Sequence, residues 1–205
     1  MSELTVAAFD FDRTVSTRDN VLPFLRAVVG PAAVASALAR SVPDLVRGRR
    51  DAVKARLAGL LAGQDDDALT EVTQAFVEET IARHLRDDVL AHVEWHRRQG
   101  HHTVLVSASF ERYLVPIGGR LGFDAALGTR LEVVDGRLTG RLDGPNVRRA
   151  EKVRRLEAWL AGRPATLWAY GDSRGDRELL VRADRPIRVG RARLRIPDHD
   201  ERVAR

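Results

Sequence analysis

A short apolar run that ends abruptly in acidic residues limits what this chain can fold into. Residues 4–9 read Leu-Thr-Val-Ala-Ala-Phe, which predicts a buried β-strand, and the next residues include Asp10 and Asp12. In open α/β sheets, ligands bind in the crevice at the carboxyl ends of the strands. A strand of this kind therefore indicates an α/β sheet with a charged site at its edge.

The rest of the chain predicts a block of helices followed by alternating strands and helices. Helices are expected over 22–29, 33–42, 44–61, 67–83 and 88–99, with Pro43 interrupting the second and Gly63 and Gly100 acting as stops. Later strands are expected at 103–106, 125–127, 165–170 and 187–189, helices at 110–121, 147–160 and 177–183, and a hairpin around Asp135-Gly136. The tail after Arg191 is charged and is expected to be loose.

This order of elements predicts the fold class and the domains. We expect an α/β protein with a three-layer core, a Rossmann-like parallel sheet and a helical insertion after the first strand. The predicted core domain comprises residues 1–16 and 86–205, and the predicted inserted domain comprises residues 17–85. A chain of 205 residues is long enough for both.

Composition excludes several classes of function. Cysteine is absent, so the chain has no disulfides and no thiolate nucleophile or thiolate metal ligand. No apolar run reaches the roughly 20 residues of a membrane span, and the first residues lack the pattern of a signal peptide, so we expect a cytoplasmic protein. The net charge is +5, but the arginines are spread along the chain and often alternate with acids, so nucleic-acid binding is not expected. Among 34 basic residues only Lys54 and Lys152 are lysines.

Polar residues that can carry chemistry follow the predicted strands or open the next helix. They are Asp10 and Asp12 after the first strand, Ser107 after the second, Asp172, Ser173 and Asp176 after the strand 165–170, and Lys152 on the helix before that strand. Because parallel strands end at one edge of the sheet, we expect these residues to lie near one another.

Two aspartates at the end of a strand suit phosphoryl transfer. One carboxylate can attack phosphorus and form an acyl phosphate, while the second protonates the leaving oxygen and later activates water. Both would repel a phosphate dianion unless a divalent cation and a lysine offset their charge. Mg²⁺ prefers oxygen ligands, which Asp10 and Asp172 would supply, and Lys152 and Ser107 would contact the phosphoryl group.

These residues resemble the four motifs of the haloacid dehalogenase superfamily. The motifs are Asp10-Phe-Asp-Arg-Thr14, Val104-Leu-Val-Ser107, Lys152 and Gly171-Asp-Ser-Arg-Gly-Asp176, in the right order over nearly the whole chain. The helical insertion resembles the C1-type cap of subfamily IB, the phosphoserine-phosphatase-like branch. The segment Arg137–Asn146 followed by Glu151-Lys152 also resembles hydrolases of that branch.

The resemblance implies a role for each motif residue. Asp10 would be the nucleophile and a Mg²⁺ ligand, Asp12 the general acid and base and a ligand through its backbone carbonyl, and Asp172 the third ligand. Ser107 and Lys152 would bind the phosphoryl group, and Asp176 and Ser173 would support the metal ligands or orient Lys152. An aspartate at position 12 favours hydrolysis of a phosphoester, because dehalogenases of the superfamily lack it.

Other positions are candidates for binding a small phosphorylated substrate. Arg13 replaces a residue that is usually small, and Asp19 stands where phosphoserine phosphatases carry a glutamate, which argues against phosphoserine itself. Arg56 is a candidate for the branch's carboxylate-binding arginine, and Ser109 for part of the role of Ser107. Two other functions stay open, namely a phosphotransferase or mutase that uses the same aspartyl-phosphate, and a non-catalytic binding protein that keeps the fold.

Overall fold

The computed structural model describes residues 4–196. Its strands are β1 (Leu4–Phe9), β2 (His102–Phe110), β3 (Ala125–Thr129), β4 (Leu131–Val134), β5 (Arg137–Leu142), β6 (Ala165–Gly171) and β7 (Arg185–Arg188). Its helices are α1 (Val21–Val29), α2 (Pro31–Val46), α3 (Arg50–Ala58), α4 (Leu69–Arg83), α5 (Asp87–Arg98), α6 (Glu111–Leu121), α7 (Ala150–Leu160) and α8 (Arg177–Arg182). The part of the predicted loose tail after residue 196 lies outside the described residues.

A five-stranded parallel sheet forms the centre of the protein. Its strand order is β3-β2-β1-β6-β7, so the apolar run at the start of the chain becomes the middle strand. Phe9, the last residue of β1, pairs with Leu105 on one side and Tyr170 on the other. Strands β4 and β5 form a separate antiparallel hairpin that turns at Asp135 and Gly136, both with positive φ, as the sequence predicts. The predicted α/β fold class is confirmed.

Helices cover both faces of the sheet because successive side chains of β1 point in opposite directions. Val6 and Ala8 pack in one apolar cluster with residues of α7 and α8. Ala7 and Phe9 pack in the other, which contains residues of α5 and α6. The second cluster continues without a break into α1–α4, where Phe24 contacts rings of α4 and α6. The helices between β1 and α5 are therefore anchored on the sheet layer by shared apolar packing.

The helical block departs from the prediction around Pro43. The sequence predicted a break at this proline and one helix over residues 44–61, but α2 runs through Pro43 to Val46, and the break falls at residues 47–49. Proline is tolerated so near the end of a helix because only one further turn depends on it. Gly48, at φ +70°, turns the chain instead.

The division into a core domain of residues 1–16 and 86–205 and an inserted domain of residues 17–85 stays a prediction. Within residues 4–196, none of the helices is both long and apolar enough to cross a lipid bilayer.

Candidate active site

The carboxyl end of β1 leads directly into a tight turn that carries the first motif. The backbone N–H of Asp10 still donates to Tyr170 in the sheet, at 2.9 Å, and the N–H of Ser16 closes the turn onto the carbonyl of Phe11 at 2.8 Å. Between them Arg13 adopts a left-handed backbone, with φ of 61°, and its side chain is exposed. A left-handed arginine is an uncommon conformation that costs energy, and such strain is typical of functional turns.

Lys152 joins two buried carboxylates at the floor of the site. Its ammonium lies 2.5 Å from Oδ1 of Asp10 and 2.5 Å from Oδ1 of Asp176, and all three side chains are buried. Burial by itself lowers the pKa of Lys152, but the two carboxylates outweigh this and raise it, which favours the ammonium form. Burial raises the pKa of Asp10 to about 7, although Lys152 opposes the rise.

Asp12 is held by hydrogen bonds to both of its carboxylate oxygens. The side-chain and backbone N–H groups of Asn20 donate to Oδ1, and the hydroxyl of Ser109 donates to Oδ2 at 2.8 Å. Burial raises the pKa of this carboxyl to about 6, and the nearby Asp19 raises it further, while the hydrogen bonds act in the opposite direction. Asp12 is thus fixed in one orientation with a pKa suited to proton transfer near neutral pH.

Three carboxylates form the group best suited to a cation. Oxygen atoms of Asp10, Asp172 and Asp176 lie within 4.8 Å of one another. Burial raises the pKa of Asp172, and the charge of Asp176 adds to this, which is the signature of carboxylates crowded together without enough positive charge. An all-oxygen, negatively charged set of this kind fits Mg²⁺. The sequence prediction named Asp10, Asp12 and Asp172 as ligands and gave Asp176 a supporting role.

The two serines of the later motifs have different surroundings. Ser107 is buried and lines the same cleft as Asp10 and Lys152, and its Oγ accepts the backbone N–H of Ser109 at 3.2 Å. Ser173 donates from its hydroxyl and from its N–H to Oδ2 of Asp176, at 2.8 and 3.0 Å. Asp176 therefore accepts Lys152 on one oxygen and Ser173 on the other, which fixes the carboxylate.

These residues open into one cleft of about 820 Å³ between the strand ends and the helical block. Its floor holds the residues just described, and its upper wall comes from α1, α2 and α3. The cleft is lined by Asp10, Asp12, Arg13, Asp19, Ser107, Lys152, Asp172, Ser173 and Asp176 of the predicted set, and further by Val21, Leu22, Leu38, Leu45, Gly48, Arg50, Val53, Lys54, Leu57, Ala108, Asn146, Arg148, Arg149, Arg174 and Gly175.

Lys54 of α3 lines the cleft, whereas Arg56 of the same helix does not. Its ammonium donates to the carbonyl of Ala108 at 2.8 Å and lies 3.7 Å from the ring centroid of Phe110. This cation of α3 therefore reaches the end of β2, where Ala108 lies between Ser107 and Ser109. Arg56 is outside the cleft and contacts Asp44 and Ser41 instead, at 3.0 and 3.1 Å. The structure therefore places Lys54 in the cleft and Arg56 outside it, and a substrate-binding role for either residue stays a prediction.

Sequence reasoning assigned no role in this site to Asn20 or Lys54, and it assigned Ser109 a different role from the one that its hydrogen bond indicates. Asn20 was given no role in the site and Ser109 was assigned to substrate binding, whereas both donate to Asp12. Lys54 carried a usable signal, since it is one of only two lysines in the chain. Both of them prove to be buried in this cleft.

Comparison with known proteins identifies the class. The family model described as haloacid dehalogenase-like hydrolase matches residues 7–180. The chain is 36% identical to Protein CicA of Caulobacter vibrioides, over 89% of this chain and 84% of that protein. It is 32% identical to a phosphoserine phosphatase of Streptomyces coelicolor, over 85% of this chain and 41% of that longer protein.

A solved structure from another organism has a similar fold. A Bordetella pertussis protein of unknown function superposes with a TM-score of 0.78 at 27% identity, covering 88% of this chain and 87% of that one. The chain belongs to the haloacid dehalogenase-like hydrolases, and the resemblance to the phosphoserine-phosphatase-like branch is confirmed. The expectation of an enzyme of the phosphomonoesterase class is confirmed with it.

Proposed function

We propose that this protein is a Mg²⁺-dependent phosphatase that hydrolyses a small phosphate monoester through an aspartyl-phosphate on Asp10. The observation that carries the proposal is the arrangement at the end of β1. One buried carboxylate, Asp10, is bound to a buried ammonium, and a second, Asp12, is fixed beside it with a raised pKa. The two carboxyl groups thus have different partners, a cation for Asp10 and N–H and O–H donors for Asp12, which suits a nucleophile and a general acid respectively. A bound divalent cation would lower the pKa of Asp10, which burial otherwise raises to about 7, and so favour the ionised nucleophile.

The reaction follows from the two aspartates. A carboxylate oxygen of Asp10 attacks phosphorus, the bond between phosphorus and the ester oxygen breaks, and the protonated Asp12 gives its proton to the departing oxygen. Asp12, now ionised, takes a proton from water as the water attacks the acyl phosphate, which releases phosphate and restores Asp10. The pKa of about 6 allows Asp12 to exchange its proton in both directions near neutral pH.

The surrounding residues stabilise charge and hold the phosphoryl group. Asp10, Asp172 and Asp176, with the backbone carbonyl of Asp12, are the groups that would hold Mg²⁺, which supplies positive charge against the phosphoryl oxygens. Ser107 and Lys152 bind phosphoryl oxygens, and Ser173 keeps Asp176 in place. The exposed Arg13 and Asp19 and the buried Lys54 also line the cleft and are the side chains that would contact the rest of the substrate.

The test is the release of inorganic phosphate from a panel of phosphate monoesters, with water as the acceptor. Wild type is expected to release phosphate with Mg²⁺ and to lose activity with a chelator, and Asp10→Asn is expected to be inactive. Asp135→Asn is a matched control, because this aspartate lies in the exposed hairpin turn, where its positive φ suits asparagine.

Three results would contradict the proposal. Unchanged phosphate release by Asp10→Asn would show that Asp10 is not the nucleophile. Full activity in chelator would show that the reaction does not need a divalent cation. Transfer of the phosphoryl group to an added alcohol with no release to water would instead show a phosphotransferase.

A further inference from the structure

The outward face of α2 is unusually apolar for an exposed helix. In its 16 residues α2 has only two ionisable side chains, Arg40 and Asp44, in a chain whose charged fraction is 31%. The exposed positions along one stripe are Ala32, Ala35, Ala39, Val42 and Val46, which we call the α2 face. Val42 is 52% exposed and Val46 82% exposed. An exposed helix face normally carries polar residues, so this face is suited to a partner with an apolar surface.

Basic residues follow the α2 face directly. Arg47, Arg49 and Arg50 occupy the turn into α3 and the first residue of that helix, and all three are exposed. Within the described part of the chain Arg47 and Arg50 form no ion pair, and Arg49 has one long contact to Asp44, at 3.9 Å. A stripe of aliphatic residues bordered by exposed arginines matches an anionic lipid surface, where the arginines meet headgroups and the valines enter the acyl boundary.

The same region continues into the catalytic cleft. Leu38 and Leu45 of α2 line the cleft, and Leu45 is also 43% exposed at its mouth. Leu22 and the buried Val53 and Leu57 add to this aliphatic lining, which comes from α1, α2 and α3, whereas the carboxylates follow the strands. The cleft therefore combines charged residues, which suit a phosphoryl group, with an apolar wall. Binding of a phosphoryl group does not require such a wall, so we expect it to contact an apolar part of the substrate.

We infer that the α2 face docks on an anionic membrane surface and that the substrate is a lipid phosphate monoester whose hydrocarbon part lies along the aliphatic wall. The substrate part of this inference rests on the proposed phosphatase function, whereas the docking part does not. Docking would place the mouth of the cleft at the lipid surface, so that a substrate reaches Asp10 phosphate first while its chain stays in contact with leucine and valine side chains.

Docking is tested by co-sedimentation of the full chain with vesicles. We expect binding to phosphatidylcholine vesicles that contain phosphatidylglycerol, weaker binding to pure phosphatidylcholine, and loss of binding with added salt. Two double variants are each expected to weaken binding on the order of tenfold. Arg47→Glu/Arg49→Glu reverses two charges, and Val42→Gln/Val46→Gln removes two apolar side chains without changing the charge. Val181→Gln, which alters a valine 78% exposed on α8, is the matched control and is expected to bind as wild type does.

The substrate is tested with two esters that share a headgroup. Lysophosphatidic acid is expected to have a kcat/KM at least about tenfold above that of glycerol 3-phosphate, because burying two or three methylene groups suffices for this factor. Leu38→Gln/Leu45→Gln is expected to reduce that ratio.

Two outcomes would overturn the inference. One is equal kcat/KM for the two esters. The other is wild-type protein that does not bind anionic vesicles, including the case in which the α2 face mediates self-association instead. A protein that hydrolyses no monoester at all would refute the proposed function, and vesicle binding would then decide the docking part independently.

Discussion

The side-chain amide of Asn20 donates a hydrogen bond of 2.8 Å to Oδ1 of Asp12, and the backbone N–H of Asn20 donates a second, of 3.0 Å, to the same oxygen. The Ser109 hydroxyl holds the other oxygen at 2.8 Å. Both donors are buried, so water does not replace them readily. A carboxyl held on both oxygens by residues distant in sequence has one orientation, which a general acid needs if its proton is to reach the leaving oxygen.

Asn20→Ala and Ser109→Ala are therefore expected to impair proton donation more than attack on phosphorus. General acid catalysis contributes about 10²–10⁴ in rate, and loss of one positioning bond should remove about tenfold to a hundredfold of it. The loss should appear in kcat for an alkyl phosphate, whose leaving oxygen needs a proton, and be small for p-nitrophenyl phosphate, whose leaving group does not. An equal loss for both esters would indicate a purely structural role.

Lys54→Met is expected to weaken substrate binding, whereas Arg56→Met, two residues away on α3, should have little effect. Lys54 adds a positive charge at the cleft, while Arg56 is paired with Asp44 outside it. We expect KM to rise about tenfold or more in Lys54→Met, since a charged hydrogen bond contributes about 1.5–3 kcal/mol. Steady-state kinetics on both variants provide the measurement, and a larger effect from Arg56→Met would contradict the assignment.

The same lysine predicts a pH dependence. Burial lowers the pKa of Lys54 to about 8, although Asp12 and Asp19 oppose the shift. As pH rises through this value the ammonium loses its proton and its charge, so the KM of wild type should increase above about pH 8. Lys54→Met, which has no charge to lose, should show a flatter KM over the same range.

Proximity of the motif residues could be predicted from the sequence because it follows from sheet topology. Asp10 and Asp172 directly follow β1 and β6, and Ser107 lies in the last part of β2, which runs four residues beyond the predicted strand 103–106. Since β1, β2 and β6 are neighbouring parallel strands, their carboxyl ends meet. No knowledge of side-chain packing is needed for this step. Their catalytic roles remain part of the proposal.

Other features of the site depend on tertiary details that a sequence pattern does not contain. Whether Lys54 or Arg56 faces the cleft depends on the rotation of α3, and that rotation depends on the end of α2, where Pro43 was wrongly expected to break the helix. Asn20 reaches Asp12 only because the turn at residues 11–15 brings the chain back on itself. In both cases the sequence pattern predicts which secondary-structure element forms, but it does not predict in which direction a particular side chain points.

Lys152→Met is expected to make the stability of the protein depend strongly on Mg²⁺. In wild type the ammonium lies between Asp10 and Asp176 and compensates two buried charges. Removing one partner from a buried ion pair costs about 3–5 kcal/mol, because the other charge stays buried without compensation. A bound cation would replace part of that compensation, so added Mg²⁺ should raise the Tm of Lys152→Met more than that of wild type, in thermal unfolding followed by circular dichroism.

A matched variant separates this effect from a general loss of packing. Lys54→Met also removes a buried lysine of the same cleft, but its ammonium is bound to a carbonyl and an aromatic ring rather than to two carboxylates. Its Tm should respond to Mg²⁺ as the Tm of wild type does. An identical response of all three proteins would show that Lys152 and the cation do not share the same carboxylates.

A histidine cluster that packs α5 against Tyr170 of β6 predicts acid sensitivity, and two of its members, His92 and His96, are buried. Nε2 of His96 lies 2.9 Å from the hydroxyl of Tyr170 and its Nδ1 lies 2.9 Å from Nδ1 of His101, while His92 also contacts that hydroxyl. Burial lowers the pKa of His96 from 6.5 to about 3, with smaller contributions from His101 and His92. Burial also lowers the pKa of both neighbours.

The sign of the effect follows from proton binding. Between about pH 6.5 and pH 3 the unfolded chain binds a proton at residue 96 and the folded protein does not, so the free energy of unfolding falls as pH falls, by about 1.4 kcal/mol per unit. Asp10 and Asp12, whose pKa values are raised, act in the opposite direction, so the informative quantity is a difference between proteins. His96→Leu should lose stability less steeply than wild type between pH 6.5 and pH 4 in urea unfolding. His102→Gln, which alters a partly exposed histidine beside Asp124, should follow wild type, and parallel curves for all three would show that His96 does not resist protonation.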